Sequence, residues 1–223
     1  MIAPVVESDA RVTLLGGAGF DPAVLRACLS LAPGLVAADG AARDALAAGF
    51  VPDAVIGDFD SLDPDTRARL PADRLHHVPE QDTTDFEKAL SRIRAPLVLA
   101  VGFTGRRLDH ELAVYNTLVR LGGPRCIVVG AEDICFPAPP EIALDVAEGT
   151  RVSLFPLARV TGRDSGLRWP IEGLVFAPDG RVGTSNMATG PVRLAFDAPG
   201  MLVILPRSEL AAAIAGLERP ASG

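Results

Sequence analysis

The sequence has little of what several large protein classes require. Its three cysteines, Cys28, Cys126 and Cys135, are odd in number and contain no CxxC pair, so neither a disulfide framework nor a zinc site follows. Each lies in an apolar setting that suits a reduced core thiol. No apolar run approaches the roughly 18 residues of a membrane span. The opening Met1-Ile2-Ala3-Pro4-Val5-Val6-Glu7 lacks a basic segment followed by an apolar core, so a soluble, cytoplasmic protein without a membrane partner is expected. Basic residues are in the minority: 21 Lys and Arg against 28 Asp and Glu give a net charge of −7, which argues against nucleic-acid partners. There is no GxSxG element and no Cys/His pair, and His76-His77 follows no metal-ligand spacing, so covalent hydrolase chemistry is disfavoured. The glycine-rich Gly16-Gly17-Ala18-Gly19 lacks the Gly-Lys-Ser/Thr of a P-loop and is not a full GxGxxG.

What is present is a chain of 223 residues, 48% hydrophobic and 22% charged, long enough to bury a sizeable core. From Arg11 to about Ile134, short apolar runs alternate with longer helical stretches, the pattern of βαβ units on a parallel sheet. Strands are expected at Val12–Leu15, Leu35–Ala38, Ala54–Ile56, Leu75–Val78, Leu97–Val101 and Cys126–Val129, with helices at Pro22–Leu31, Ala41–Ala48, Thr84–Arg94 and Leu108–Leu121. Asp21 before Pro22 reads as a helix start, and Thr84-Asp85-Phe86-Glu87 has the spacing of a capping box. Near Pro137-Ala138-Pro139-Pro140 the texture changes to short runs separated by Gly, Pro, Asp and Asn, which suggests a small all-β second domain before a final helix at Glu209–Leu217. The fold class is therefore α/β, with a Rossmann-like parallel-sheet domain over 1–136 and an all-β domain over 137–223.

The acidic residues are the most informative feature. Asp39, Asp58, Asp60, Asp82 and Asp85 all fall just after expected strands, where ligands bind at the carboxyl ends of a parallel sheet. In Gly57-Asp58-Phe59-Asp60-Ser61 an extended backbone would project both carboxylates to one side, with Phe59 turned into the protein. Such a pair repels unless a cation sits between its members, and hard oxygen ligands suit Mg²⁺. Taken singly, each Asp is equally at home in a turn or cap. Thr84 capping a helix would put Asp85 in its first turn, beside free backbone N–H groups that could hold a phosphate, with Lys88 as a counter-charge. Gly102-Phe103-Thr104-Gly105-Arg106-Arg107-Leu108-Asp109-His110 is a glycine-bearing turn with two arginines at its tip, apt for phosphate oxygens. The lone Trp169, in Gly166-Leu167-Arg168-Trp169-Pro170, and the turn-like Gly183-Thr184-Ser185-Asn186 lie in the β region.

In order along the chain, Asp39-Gly40, Gly57-Asp58-Phe59-Asp60-Ser61, the run Gln81 to Leu90, Gly105-x-Arg107-Leu108-Asp109-His110, Gly166-Leu167-x-Trp169 and Ser185-Asn186 resemble the motifs of thiamin pyrophosphokinases. The resemblance extends from about Val12 to Leu205. It implies an α/β nucleotide-binding domain, a C-terminal β-sandwich, a homodimer, and transfer of a pyrophosphoryl group from ATP to thiamin with release of AMP. By this resemblance Asp39, Asp58, Asp60 and Asp85 are catalytic, and Asp58, Asp60 and Asp85 hold Mg²⁺. Gln81, Asp82, Thr84, Lys88, Arg107 and Asp109 would form the ATP side, and Trp169, Ser185 and Asn186 the thiamin pocket. Three positions depart from the pattern: Arg106 replaces a glycine, Val114 an asparagine and Met187 an acidic residue. The first two touch the nucleotide side and the third the acceptor side. The competing expectations are a related pyrophosphokinase acting on another heterocyclic alcohol, such as a hydroxymethylpterin, and a nucleotide- or thiamin-binding protein without turnover. Retention of the metal-type aspartates weighs against the latter.

Overall fold

The structure, a computed structural model, describes residues 2–122 and 125–219, so the last residues of the expected second domain, 220–223, lie outside the described residues. The chain divides into two compact units, one taking in residues up to Thr117 and Leu121–Gly130, the other Leu118–Arg120 and the residues from Ala131 onward. It is an α/β chain whose strands pair parallel in the first unit and antiparallel in the second.

The first unit runs β1 (Val6–Glu7), β2 (Val12–Leu15), α1 (Pro22–Leu31), β3 (Gly34–Ala38), α2 (Ala41–Ala47), β4 (Ala54–Gly57), α3 (Pro64–Ala68), β5 (Leu75–His77), α4 (Asp85–Leu90), β6 (Ile93–Arg94), β7 (Val98–Val101), α5 (Leu108–Leu121) and β8 (Cys126–Val129). β2, β4, β7 and β8 are buried along their whole length, the signature of parallel strands covered on both faces. Their parallel order is β8-β7-β2-β3-β4-β5. The parallel sheet therefore starts at β2, builds outward to β5, and returns to place β7 on the other side of β2. Strand order reverses between β2 and β7, and open α/β sheets take ligands at the carboxyl ends of such a pair.

Local chemistry sets the helix starts. The Asp21 carboxylate accepts from Ala23 N ahead of Pro22, and Thr84 Oγ1 accepts from Glu87 N at 3.3 Å. The expected helix Thr84–Arg94 is shorter than its apolar spacing suggests. It ends at Leu90, where the Ser91 hydroxyl and the Arg92 guanidinium both donate to the Lys88 carbonyl, and Ile93–Arg94 instead pairs with β1. Helix α3 was not expected, although Asp63-Pro64 carries the same start signal as Asp21-Pro22: the Asp63 carboxylate accepts from Thr66 N at 2.9 Å.

The second unit contains β9 (Asp133–Pro137), β10 (Glu141–Leu144), β11 (Arg151–Pro156), β12 (Val160–Leu167), β13 (Val175–Phe176), β14 (Gly183–Phe196), β15 (Met201–Pro206) and α6 (Leu210–Glu218). All its ladders are antiparallel. The turn expected at Gly183-Thr184-Ser185-Asn186 is instead the start of the 14-residue β14. Its turn-like composition has a cause: Val152 faces Asn186 and Leu154 faces Gly183, so one residue of β11 opposes two of β14 in a bulge. Ser185 takes φ 62° there, and its N–H donates to Ser153 Oγ at 3.0 Å.

Candidate active site

Asp39 directly follows β3, with a left-handed φ of 45°, and is only 1% exposed. A buried carboxylate needs donors, and it has them. Oδ1 accepts from Phe59 N at 3.0 Å and Oδ2 from the Ser61 hydroxyl. Both donors belong to the loop that follows β4, so Asp39 ties that loop to the end of β3. Gly57 makes the approach feasible, because a Cβ there would sit 2.6 Å from Asp39 Cβ.

The backbone of Asp58-Phe59-Asp60 is a tight turn rather than the extended segment expected from the i, i+2 spacing. Phe59 has φ 65°, and Asp60 N donates to Asp58 Oδ1 at 3.3 Å. Phe59 is half-buried, its ring tilted against His77 at 5.5 Å with the Arg67 guanidinium 5.7 Å from its centroid. The turn still brings the two carboxylates together. One oxygen from each of Asp39, Asp58 and Asp60 lies within 4.8 Å of the others. Asp85 is not in that group, although its carboxyl feels the charge of all three.

The electrostatics differ between Asp58, Asp60 and Asp85. Lys88, 1% exposed, reaches from α4 to Asp58 Oδ2 at 2.5 Å, and Gln81 Nε2 donates to the same oxygen at 3.1 Å. The Lys88 hydrogen bond holds the Asp58 carboxyl below the usual carboxylate range. Asp60 is raised, chiefly by Asp58 beside it. Asp85 is raised by loss of hydration at its carboxyl, then by the charge of Asp39, against a smaller opposing pull from Lys88. Acidic oxygens that raise one another's affinity for protons would be relieved by a cation, and a set of hard carboxylate oxygens fits a divalent ion of the Mg²⁺ kind.

Beside this cluster, at the carboxyl ends of β2, β3 and β7, lies a cavity of about 320 Å³. Gly17 and Ala18 of the loop after β2, Gly102 and Phe103 of the loop after β7, Ser61, and Thr84 and Asp85 at the start of α4 all line it. Its rim also carries Arg43, Arg106 and Arg107. The loops after β2 and β7 touch backbone to backbone, Ala18 N donating to Gly102 O at 2.8 Å. Gly102 has φ 77° and Gly16 O lies only 2.5 Å from where its Cβ would be, which explains the glycine. Arg107 is gripped fork to fork by Asp109, with contacts of 2.6 and 3.2 Å. Asp82 is exposed, and its backbone N–H donates to Glu80.

Sequence reasoning gave no role to several residues that shape the site. Ser61 lies inside a quoted motif, and its hydroxyl is the donor that closes the loop on Asp39. Glu80 accepts from the Thr83 hydroxyl and from Asp82 N, fixing the turn before α4. Glu111 accepts from Gly105 N at 2.8 Å and from Tyr115 OH at 2.9 Å, pinning the arginine turn. Glu111 lies six residues beyond Gly105, a span that only the turn's geometry makes legible.

Trp169, Ser185 and Asn186 belong to the second unit. Asn186 is buried and clamps the Trp169 backbone both ways: its Oδ1 accepts from Trp169 N at 3.2 Å and its Nδ2 donates to Trp169 O at 2.7 Å. The indole is 53% exposed, with the Arg168 guanidinium 5.1 Å from its ring centre.

Residues 25–129 match the model of the thiamin pyrophosphokinase catalytic domain. Thiamine pyrophosphokinase 1 of Oryza sativa subsp. japonica is 29% identical over 157 residues, which is 62% of this chain and 60% of the rice protein. The thiamin pyrophosphokinase of Geobacillus thermodenitrificans superposes with a TM-score of 0.71 at 22% identity over 90% of this chain and 99% of its own. That of Candida albicans gives 0.72 at 14% identity over 92% and 95%. The matched segment therefore spans about 60% of the rice relative's length, whereas the fold agrees over nearly whole chains. Residues 25–129, the part that matches the catalytic-domain model, also carry Asp39, Asp58, Asp60, Asp85, Lys88 and the arginine turn, so the similarity to thiamin pyrophosphokinases covers the candidate site itself.

Proposed function

We propose that the protein transfers a pyrophosphoryl group from ATP to thiamin, giving thiamin diphosphate and AMP. The observation that carries this reading is the trio Asp39, Asp58 and Asp60 beside a cavity at the strand-order switch, within the segment similar to the thiamin pyrophosphokinase catalytic domain. In the reaction the hydroxyethyl oxygen of thiamin bonds to the β-phosphorus of ATP while the bridge from that phosphorus to the α-phosphate oxygen breaks. AMP leaves with the electron pair, and the hydroxyl proton passes to a carboxylate or to water. Such chemistry asks a protein mainly for position and charge neutralisation.

In this reading Asp58 and Asp60, with Asp39 or Asp85 completing the set, hold Mg²⁺, which when bound neutralises polyphosphate charge. Lys88 keeps Asp58 ionised and ready to ligate, and Gln81 orients it from the other side. Thr84 and Asp82 shape the start of α4, and Arg107 with Asp109 forms a rigid ionic rim to the nucleotide cavity. The raised proton affinity of Asp85 suits a group that receives the hydroxyl proton.

In this reading residues 1–136 form a Rossmann-like ATP- and metal-binding domain and residues 137–223 a β-sandwich that binds thiamin. Trp169 supplies an aromatic face for the thiazolium cation, with Ser185 and Asn186 beside it in the pocket. A homodimer acting in the cytoplasm completes the proposal, and among the described residues no helix is long and apolar enough to cross a membrane. The test is incubation of purified protein with ATP, Mg²⁺ and thiamin, with a no-thiamin control. Thiamin diphosphate and AMP in equal amounts are expected, and folded, ATP-binding protein that forms neither would refute the acceptor assignment.

A further inference from the structure

We propose that Arg106 is an anion-binding residue of the cavity, one that lets go of the Gly17 carbonyl to grip the phosphate chain of a nucleotide; this rests on the nucleotide reading above. Three guanidinium groups stand at the cavity, and they are not equivalent. Arg43 is paired with Asp44 at 3.1 Å, and Arg107 is held at both prongs by Asp109. Arg106 has no carboxylate partner among the described residues. It donates from Nη1 to Gly17 O at 3.3 Å.

A neutral carbonyl at that distance is a weak acceptor for a guanidinium. Phosphate oxygens make shorter, charge-assisted bonds of roughly twice the strength and match the planar fork with two acceptors. Exchange of Gly17 O for a phosphate oxygen is therefore favourable, and the carbonyl it leaves lies beside solvent, at the cavity. The backbone that carries Arg106 need not move. Gly105 N is held by Glu111, itself held by the Tyr115 hydroxyl, so the side chain swings from a fixed base. The contact to Gly17 also sets the direction of that swing. Gly17 follows β2 and Arg106 follows β7, the two strands between which the order reverses, so the side chain spans the crevice that a ligand must enter.

The experiment is calorimetric titration of ATP with Mg²⁺ into wild type, Arg106→Gln and Arg106→Lys at two salt concentrations, with the Tm of each. Gln keeps an amide donor of the kind that bonds Gly17 O but carries no charge, whereas Lys keeps the charge without the fork. Loss of a charge-assisted phosphate contact should raise the Kd of Arg106→Gln about tenfold or more and flatten its salt dependence. Arg106→Lys should recover part of the affinity, and the three Tm values should agree within about 2 °C. An unchanged Kd in Arg106→Gln overturns the inference while leaving the nucleotide reading intact. So does a loss equal in both variants with unaltered salt dependence, which would mark Arg106 as a latch between loops. Wild type that binds no ATP overturns both.

Discussion

Asp58→Asn should destabilise the protein more than Lys88→Met, although both delete the same ion pair. The asymmetry follows from where each charge lies. The Lys88 side chain is 1% exposed and that of Asp58 10%, with 2.5 Å between Nζ and Oδ2. Asp58→Asn leaves an ammonium enclosed by protein and facing only a neutral amide, and breaking a buried pair in this way costs about 3–5 kcal/mol. For a chain of this size that lowers Tm by roughly 6–20 °C. Lys88→Met leaves a carboxylate that still accepts from Gln81 Nε2 and Asp60 N and can draw in water, so a loss of about 1–3 kcal/mol is expected. The double variant has no stranded charge, so its loss should fall well short of the sum of the single losses. The pH dependence has a defined sign. Asp58 is lowered in the folded state, so its contribution is complete above the unfolded carboxylate value of about 3.9 and disappears as pH falls through the lower folded value. The gap between wild type and Asp58→Asn should close in that acid range. Thermal unfolding of the four proteins from pH 7 downward measures all of this. Equal losses from the two single variants, or a gap that persists in acid, would refute the reasoning.

Asp60→Asn should reduce turnover by roughly a hundredfold or more while shifting Tm by about 2 °C at most, since the residue is exposed and its proposed role is ligation; near-normal turnover would remove that role. Gly57→Ala forces Asp39 to shift, and should cost about 1–3 kcal/mol in a melt and impair turnover more than Asp44→Ala at the cavity rim. Trp169→Ala should raise the KM for thiamin far more than that for ATP; equal effects would move the acceptor pocket elsewhere. Burial pushes the Cys135 thiol up to about 12, and Cys28 and Cys126 are also buried. A thiol reagent at pH 8 should therefore label the protein only after denaturant is added.

Much of the first unit is legible because its signals are local. Val12–Leu15, Pro22–Leu31, Leu108–Leu121 and Cys126–Val129 are observed with the bounds expected from apolar periodicity and caps. The failures arise where distant groups decide. Ile93–Arg94 reads as helix until β1, almost ninety positions earlier, offers a partner. Gly183-Thr184-Ser185-Asn186 reads as a turn because a bulge selects the same residues as a turn does. The acids behave likewise. Their placement after strands could be read, but that Asp39 rather than Asp85 lies within 4.8 Å of Asp58 and Asp60 depends on Gly57 and Ser61 across the sheet.

The reversal of strand order between β2 and β7 also governs how the chain is made. Val12 pairs with Gly34 on one side and Val98 on the other, sequence separations of 22 (34 − 12) and 86 (98 − 12). During synthesis, β2, β3, β4 and β5 can associate as soon as they emerge. The other edge of β2, whose Leu14 and Leu15 are fully buried in the finished fold, then stands open until residues 98–101 follow. At about 5–20 residues per second that interval lasts several seconds. The crevice between the loops after β2 and β7 is therefore among the last features of the first unit to form, and the half-built sheet, with one edge of β2 unpaired, is the species most exposed to aggregation.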